Sequence, residues 1–553
     1  MLRYILSILC LLQLSPLSPA TTLTTKKNMV VTEQYIASNI GEKILQAGGN
    51  AIDAAVAVGY ALAVVDPCCG NIGGGGFMML HLADGKNIFI NFRERAPLAA
   101  NSTLFLNSQG QVIPDKSTTG YLAVAVPGTV LGLDTALKKY GSLSRQQVMA
   151  PAIALAEKGF LLSDTDAKIL AENSGNFKKY PNVAAIFLKN GKPNQAGDTL
   201  VQKNLANTLK LIAEKGPDIF YKGKIAETIV QASKANGGVL SQKDFAEYYI
   251  EELSPISCTY RGYTIISAPP PSSGGITLCE MLNILEGYPL YTFGFHSAES
   301  IHAIVEAMHY SFIDRNTLLG DPDFVNNPTE KLISKKYANQ IREKITKHKS
   351  SIGEVIHEGV NTTHYSIVDQ FGNAVAVTYT LNSYFGAQVI AGNTGFFLNN
   401  EMDDFSIKPG IANKFGLVQG ANNAIQPGKR PLSSMSPTLI FKNNKIVMVL
   451  GSPGGPRIIT SILQTILNVI DYNMNIQDAV NAARFHYQWL PDTIYIEPNA
   501  FNDETTKQLI KMGYHITPND HWSAVEAIYI DPTTHTIYGA NDIRRPAGKA
   551  AGS

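Results

Sequence analysis

The sequence predicts a layered α/β protein, and three observations carry that expectation. The first half is rich in helix-periodic segments, whereas from about residue 362 β-branched and aromatic runs take over. A turn signal, Gln370-Phe371-Gly372-Asn373, joins two of those runs into a β-hairpin. No repeat or low-complexity linker divides the chain, so helices and strands belong to one sandwich of sheets covered by helices.

The elements follow in order. Arg3, an apolar stretch over 5–14 and Ser18-Pro19-Ala20 read as an export leader, residues 1–20, cut near Ala20. Its apolar part is well short of the roughly 20 residues needed to span a bilayer, although an uncleaved anchor is the other reading. A helix over 39–46 stops at Gly48-Gly49. Asn50 then caps a buried helix over 51–65 that ends at Asp66-Pro67. Strands are expected at 77–82 and 88–92, and helices at 143–158, 205–215, 225–236, 301–316 and 330–346. The segment 269–275 reads as a loop entering a helix near Ile276. The hairpin strands span 363–369 and 374–382, further strands lie at 437–441 and 445–450, and helices at 457–470 and 476–483.

Composition narrows the function classes. The chain has 553 residues, 45% hydrophobic and 16% charged, which fits a globular protein rather than a disordered, collagenous or coiled-coil one. A net charge of +1 gives no field for nucleic acid or anionic lipid, so neither is an expected partner. Loss of the leader removes Cys10 and leaves Cys68, Cys69, Cys258 and Cys279, too few for a disulfide scaffold but enough for one bridge in an oxidising compartment. Cys68-Cys69 is not C-x-x-C, and no histidine cluster has ligand spacing, so no metal is expected.

Two glycine runs invite a phosphate reading. The run at 73–76 follows a helix and leads into a strand, the reverse of phosphate-binding loops. Gly451-Ser452-Pro453-Gly454-Gly455-Pro456-Arg457 follows a strand and opens a helix, so it is either a plain turn or an anion site at a helix N-terminus. In the hairpin, a turn centred on Phe371 sets Thr362 opposite Thr380. Such a threonine pair is ordinarily structural, contributing a few tenths of a kcal/mol.

Six motifs in order add a resemblance. They are Arg93-Glu94-Arg95-Ala96-Pro97, Thr362-Thr363-His364-Tyr365-Ser366, Thr378-Tyr379-Thr380-Leu381-Asn382, Asn399-Asn400-Glu401-Met402-Asp403-Asp404-Phe405, Pro431-Leu432-Ser433-Ser434-Met435-Ser436-Pro437 and Gly451-Ser452-Pro453-Gly454-Gly455. Together they make the chain resemble γ-glutamyltranspeptidases across nearly all of its mature length. The resemblance implies an N-terminal nucleophile hydrolase with a four-layer αββα core. It implies a precursor that cuts its own Asn361–Thr362 bond into a large piece, 21–361, and a small piece, 362–553, which stay together as a heterodimer.

Thr362 would then supply both the attacking hydroxyl and, through its freed amine, the base. An α-amine has a reference pKa near 7.7–8.0 and can accept that proton at working pH. Thr380 would orient Thr362, and the N–H groups of Gly454 and Gly455 would form an oxyanion hole. Arg93 would hold the α-carboxylate of a γ-glutamyl donor, helped by Ser433 and Ser434, and Asn382, Glu401 and Asp404 would hold its ammonium. The expected substrates are glutathione and related γ-glutamyl compounds, with water, amino acids or dipeptides as acceptors and no cofactor. Two positions depart from bacterial relatives: Glu401 stands where some carry Gln, and Phe415 replaces a gating Tyr in the lid over 409–420. The rival readings are a glutaryl or cephalosporin acylase of the same superfamily and an inactive exported binding protein. An exported, periplasmic protein is expected, with secretion as the alternative.

Overall fold

The computed structural model describes residues 22–346 and 362–553; the leader expected at 1–20 and the expected cleavage residue Asn361 lie outside the described residues. Two seven-stranded antiparallel sheets form the centre. In chain order their strands are β1 (Leu23–Thr25), β2 (Met29–Thr32), β3 (Gly75–His81), β4 (Asn87–Phe92), β5 (Glu251–Leu253), β6 (Ile256–Tyr260), β7 (Tyr263–Ser267), β8 (Thr363–Val368), β9 (Ala374–Thr380), β10 (Thr438–Lys442), β11 (Lys445–Gly451), β12 (Glu526–Ile530), β13 (Ile537–Ala540) and β14 (Lys549–Gly552). One sheet runs β14-β2-β8-β9-β3-β4-β5 and the other β1-β13-β12-β11-β10-β7-β6.

Strand periodicity assigns the two faces. On β9, Val375, Val377 and Tyr379 join an interior shared with the helix Ala51–Val65, whose residues are all buried. The alternate residues Ala374 and Ala376 join a second interior with Leu439, Met448 and Leu450 of the other sheet. The helices Gly274–Leu285 and Arg457–Ile470 close the far side of that sheet, which completes the αββα sandwich. β8 and β9 are buried at every position, as strands between two layers must be.

Local chemistry explains the elements that place the site. Asn50 caps its helix through a capping box with Asp53. The hairpin turn is organised by Asp369, whose Oδ1 accepts from Phe371 N and Asn373 N, both at 2.9 Å. Gly372 adopts φ +95° there, a conformation glycine takes without strain. The resulting register, Thr363 opposite Tyr379 and His364 opposite Thr378, is the one the turn predicted.

Several expectations change. The helix expected over 330–346 is two, Thr329–Leu332 and Lys335–Lys344, because Ser334 leaves the helical path to cap the second. The hairpin strands stop at Val368 and Thr380, so Asn382 lies in the loop beyond β9 with φ +75°. The helices Thr129–Tyr140 and Asp164–Phe177 and the strands β12 to β14 lie where no element was expected. Two bridges are present where the sequence suggested one: Cys258–Cys279 ties β6 to the helix Gly274–Leu285, and the neighbours Cys68 and Cys69 are also joined. No helix among the described residues is long and apolar enough to cross a membrane.

Candidate active site

The site is assembled where β8 begins and β9 ends. Thr362 Oγ1 donates to Thr380 Oγ1 at 3.3 Å, and Asn382 N donates to the same oxygen at 2.8 Å. The glycine run behind them is explained by close backbone approach. A Cβ on Gly74 would fall 1.9 Å from the Thr380 carbonyl oxygen, and one on Gly73 would fall 2.1 Å from that of Phe397. With ordinary φ angles and no open space, this run seats β9 rather than a phosphate.

A narrow cleft brings together Thr362, Thr380, Arg93, Asn382, Glu401, Asp404, Ser433, Ser434, Phe415 and Gly455. Arg93 is fully buried, and its guanidinium is held by Glu401 and by Asp404 Oδ2 at 2.5 Å, with Glu94 3.6 Å away. The sequence placed Arg93 on one group of a ligand and Glu401 and Asp404 on the other; the structure joins all three directly. Glu94 Oε1 and Oε2 and Glu401 Oε2 have no hydrogen-bond partner among the described residues. Burial outweighs the attraction of Arg93 in both acids, pushing Glu94 up to about 7 and Glu401 well above the usual carboxylate range.

The wall opposite the acids is a helix start. The carbonyls of Gly454 and Gly455 accept the first helical bonds, from Arg457 N and Ile458 N at 3.1 Å each. Their own N–H groups precede the helical ladder and are therefore suited to an anionic oxygen. Gly455 lines the cleft at φ +56°, while Gly454, φ +127°, stands one residue back from it. The Phe415 ring lies against Gly455, 2.8 Å from where a Cβ would be. Asn413 holds the turn around Phe415 by accepting from Phe415 N at 3.0 Å and Leu417 N at 3.1 Å, and Gln488 Nε2 donates to Phe415 O at 3.0 Å.

The loop over 269–275 supports Ser433: Ser273 N and Oγ donate to its carbonyl at 2.8 and 2.7 Å. Ser434 Oγ accepts from Arg315 Nη2 at 2.9 Å. Sequence reasoning missed Arg315, a second fully buried guanidinium in the cleft; burial lowers its pKa to about 10. The signal was there: Arg315 continues the apolar stripe Ile301, Val305, Met308, Phe312, where a charge has no structural reason to be.

His364, two residues beyond Thr362, is not a ready base. Its imidazole is buried between Thr378 Oγ1 at 2.8 Å and Ser366 Oγ at 3.0 Å, and burial lowers its pKa to about 3. Among the described residues, the only gathering of potential metal ligands is Asp66 with Cys68 and Cys69, whose sulfurs are joined to each other.

The family model described as gamma-glutamyltranspeptidase matches residues 37–552. The chain belongs to the γ-glutamyltranspeptidase family. It is 53% identical over 542 residues to the glutathione hydrolase proenzyme of Pseudomonas sp. (strain A14), covering 95% of this chain and 94% of that relative. It is 47% identical over 535 residues to the glutathione hydrolase proenzyme of Escherichia coli (strain K12), covering 95% and 92%. Among solved structures, cephalosporin acylase from Bacillus halodurans superposes with a TM-score of 0.88 at 29% identity over 99% of both chains. The family's fold therefore also serves acylases, and the distinction between the two has to come from the cleft.

Proposed function

We propose that the chain is the precursor of a glutathione hydrolase and γ-glutamyltransferase, cut between Asn361 and Thr362 into two chains that remain one molecule. The observation that carries the reading is the hydroxyl pair Thr362–Thr380 in a cleft that also holds Arg93, the carboxyls of Glu401 and Asp404, and a helix start. Thr362 Oγ attacks the γ-amide carbonyl of glutathione or a similar donor. Its own freed α-amine takes the hydroxyl proton and passes it to the departing amine. The retained pKa near neutrality of such an amine suits it to this exchange, whereas His364 is engaged on both ring nitrogens.

The negative oxygen of the tetrahedral intermediate fits the N–H groups of Gly454 and Gly455; losing one such donor typically costs about 2.7–4 kcal/mol of barrier. Expulsion of cysteinylglycine leaves a γ-glutamyl ester on Thr362, which water or an amino acid or dipeptide amine then resolves. In this reading Arg93, Ser433 and Ser434 receive the donor's α-carboxylate, while Asn382, Glu401 and Asp404 receive its ammonium. Export to the periplasm follows from the leader at 1–20.

The likeness to cephalosporin acylase favours one alternative, hydrolysis of glutaryl amides. A glutaryl group has no ammonium, so the carboxyls around Arg93 speak for the γ-glutamyl donor. Comparing γ-glutamyl and glutaryl anilides decides: faster glutaryl turnover reverses the assignment. Intact mass spectrometry of the purified protein should find two chains, the smaller starting at Thr362. Thr362→Ala should give one uncut chain without γ-glutamyl turnover; two chains from that variant would refute the cleavage site.

A further inference from the structure

The four arginines that the fold buries most completely are Arg93, Arg315, Arg430 and Arg484. Three of them meet a carboxylate: Arg93 pairs with Glu401 and Asp404, Arg430 with Glu251 at 3.2 Å, and Arg484 with Asp542 at 2.6 Å. Arg315 meets none among the described residues, and its partners there are all neutral. A buried cation without a counter-charge is costly, and Arg315 keeps its charge at neutral pH. Its place in the last turn of the helix Ala298–Leu318 recovers only a little of that cost.

The guanidinium is spent on the two serines of the cleft. Nη2 donates to Ser434 Oγ at 2.9 Å, and Nε donates to Ser273 Oγ at 3.0 Å. Ser273 stands just before the helix Gly274–Leu285, where a serine ordinarily caps the first turn. It does not cap; its hydroxyl donates to the Ser433 carbonyl at 2.7 Å instead. Arg315 therefore reaches Ser434 directly and Ser433 through Ser273. A hydroxyl has one proton to give and two lone pairs to fill. Ser434 Oγ accepts from Arg315 and Ser433 Oγ accepts from Met435 N at 3.1 Å, but neither donates to an acceptor among the described residues. Two hydroxyl protons are thus left over in a cleft that also holds an unpaired cation. A carboxylate, which is negative and can only accept, matches that set; an ammonium does not.

We propose that Arg315 is a positioning residue for substrate selection: it holds Ser434 directly and Ser433 through Ser273 so that both hydroxyls donate into the cleft, and its unbalanced charge favours substrates that carry an α-carboxylate. The assignment deepens the γ-glutamyl reading above and rests on it. It also divides the work between the two arginines of the cleft. Arg93 is already matched by Glu401 and Asp404, so the positive charge left to offset an incoming carboxylate is that of Arg315.

The test compares two anilides in the full processed protein: γ-glutamyl-p-nitroanilide and 4-aminobutyryl-p-nitroanilide, which keeps the amine and lacks the α-carboxylate. Arg315→Gln should raise KM for the γ-glutamyl anilide about tenfold with kcat little changed, the scale of one hydrogen bond to a charged group, and should leave kcat/KM for the 4-aminobutyryl anilide nearly as it was. The preference for the carboxylate-bearing substrate therefore falls about tenfold, and Arg315→Lys, which keeps the charge, should restore part of it. Ser273→Ala leaves the arginine in place and breaks only its link to Ser433; it should lower the preference about threefold, and it decides the matter if Arg315→Gln does not fold. A preference that survives in either folded variant overturns the proposal. So does an equal loss of turnover on both anilides, which is what a merely structural arginine would give. No p-nitroaniline release from the γ-glutamyl anilide by the unmodified protein would instead count against the γ-glutamyl reading itself.

Discussion

Around Arg93 one guanidinium faces three carboxyls, whereas around Arg484 and Arg544 two guanidiniums face two. The second cluster closes on itself. Asp542 Oδ2 accepts from Arg484 Nη2 at 2.6 Å and Val525 N at 2.9 Å, and its Oδ1 accepts from Arg544 Nη1 and N at 2.9 Å. Glu497 is filled in the same way by Arg484 N, Trp522 N and Arg544. Burial alone would raise Asp542, but the two arginines outweigh it and hold the carboxyl at about 2. In the Arg93 cluster burial wins instead, and three carboxyl oxygens have no hydrogen-bond partner among the described residues. The balanced cluster is satisfied within the fold, whereas the unbalanced one leaves polar capacity unused, as the proposed role in holding a ligand with its own charges requires.

That contrast can be broken at four points. The largest effect is expected in the balanced cluster: Arg544→Met strands two buried carboxylates and should cost about 3–5 kcal/mol in urea unfolding. A loss under about 1 kcal/mol would erase the distinction. Next comes pH. The folded pKa of Asp542 lies below its unfolded value near 3.9, so its contribution is present above about pH 4 and is lost as pH falls toward 2. Asp542→Asn should therefore be less stable than the unmodified protein at pH 6 by roughly 2 kcal/mol, with the gap narrowing at pH 2.5.

In the unbalanced cluster, Arg93→Lys should raise donor KM about 10- to 100-fold with kcat changed far less, since an ammonium cannot match the guanidinium fork. An unchanged KM counts against a carboxylate role for Arg93. The smallest effect is Glu401→Gln, which removes a buried carboxyl with an unpartnered oxygen. Stability should rise by up to about 1 kcal/mol while donor KM rises a few-fold; lower stability would mean that the cluster is already balanced.

The hairpin and its register were legible because a turn and a period of two fix pairing locally. The long helices were legible from their caps and stripes, as at Asn50 and Arg457. The candidate site was legible through motifs, and the structure brings ten of the predicted residues into one cleft. Less was visible where distant contacts decide. β14 reads Lys549-Ala-Ala-Gly552, a poor strand by composition, yet it pairs with β2 along its whole length. The direct pairing of Arg93 with Glu401 and Asp404 was hidden for the same reason: spacing along the chain does not show that these acids reach across to it.

The strand order has a further consequence for the proposed cut between Asn361 and Thr362. β2, β3, β7 and β1 precede the cut, whereas β14, β8, β9, β10 and β13 follow it, and the ladders β14-β2, β2-β8, β9-β3, β1-β13 and β7-β10 all cross from one fragment to the other. The two fragments of that cut would thus be plaited through both sheets rather than docked at a surface. Neither could leave without tearing open the protein's interior, so scission would free a new terminus while the molecule goes on melting as a single cooperative body.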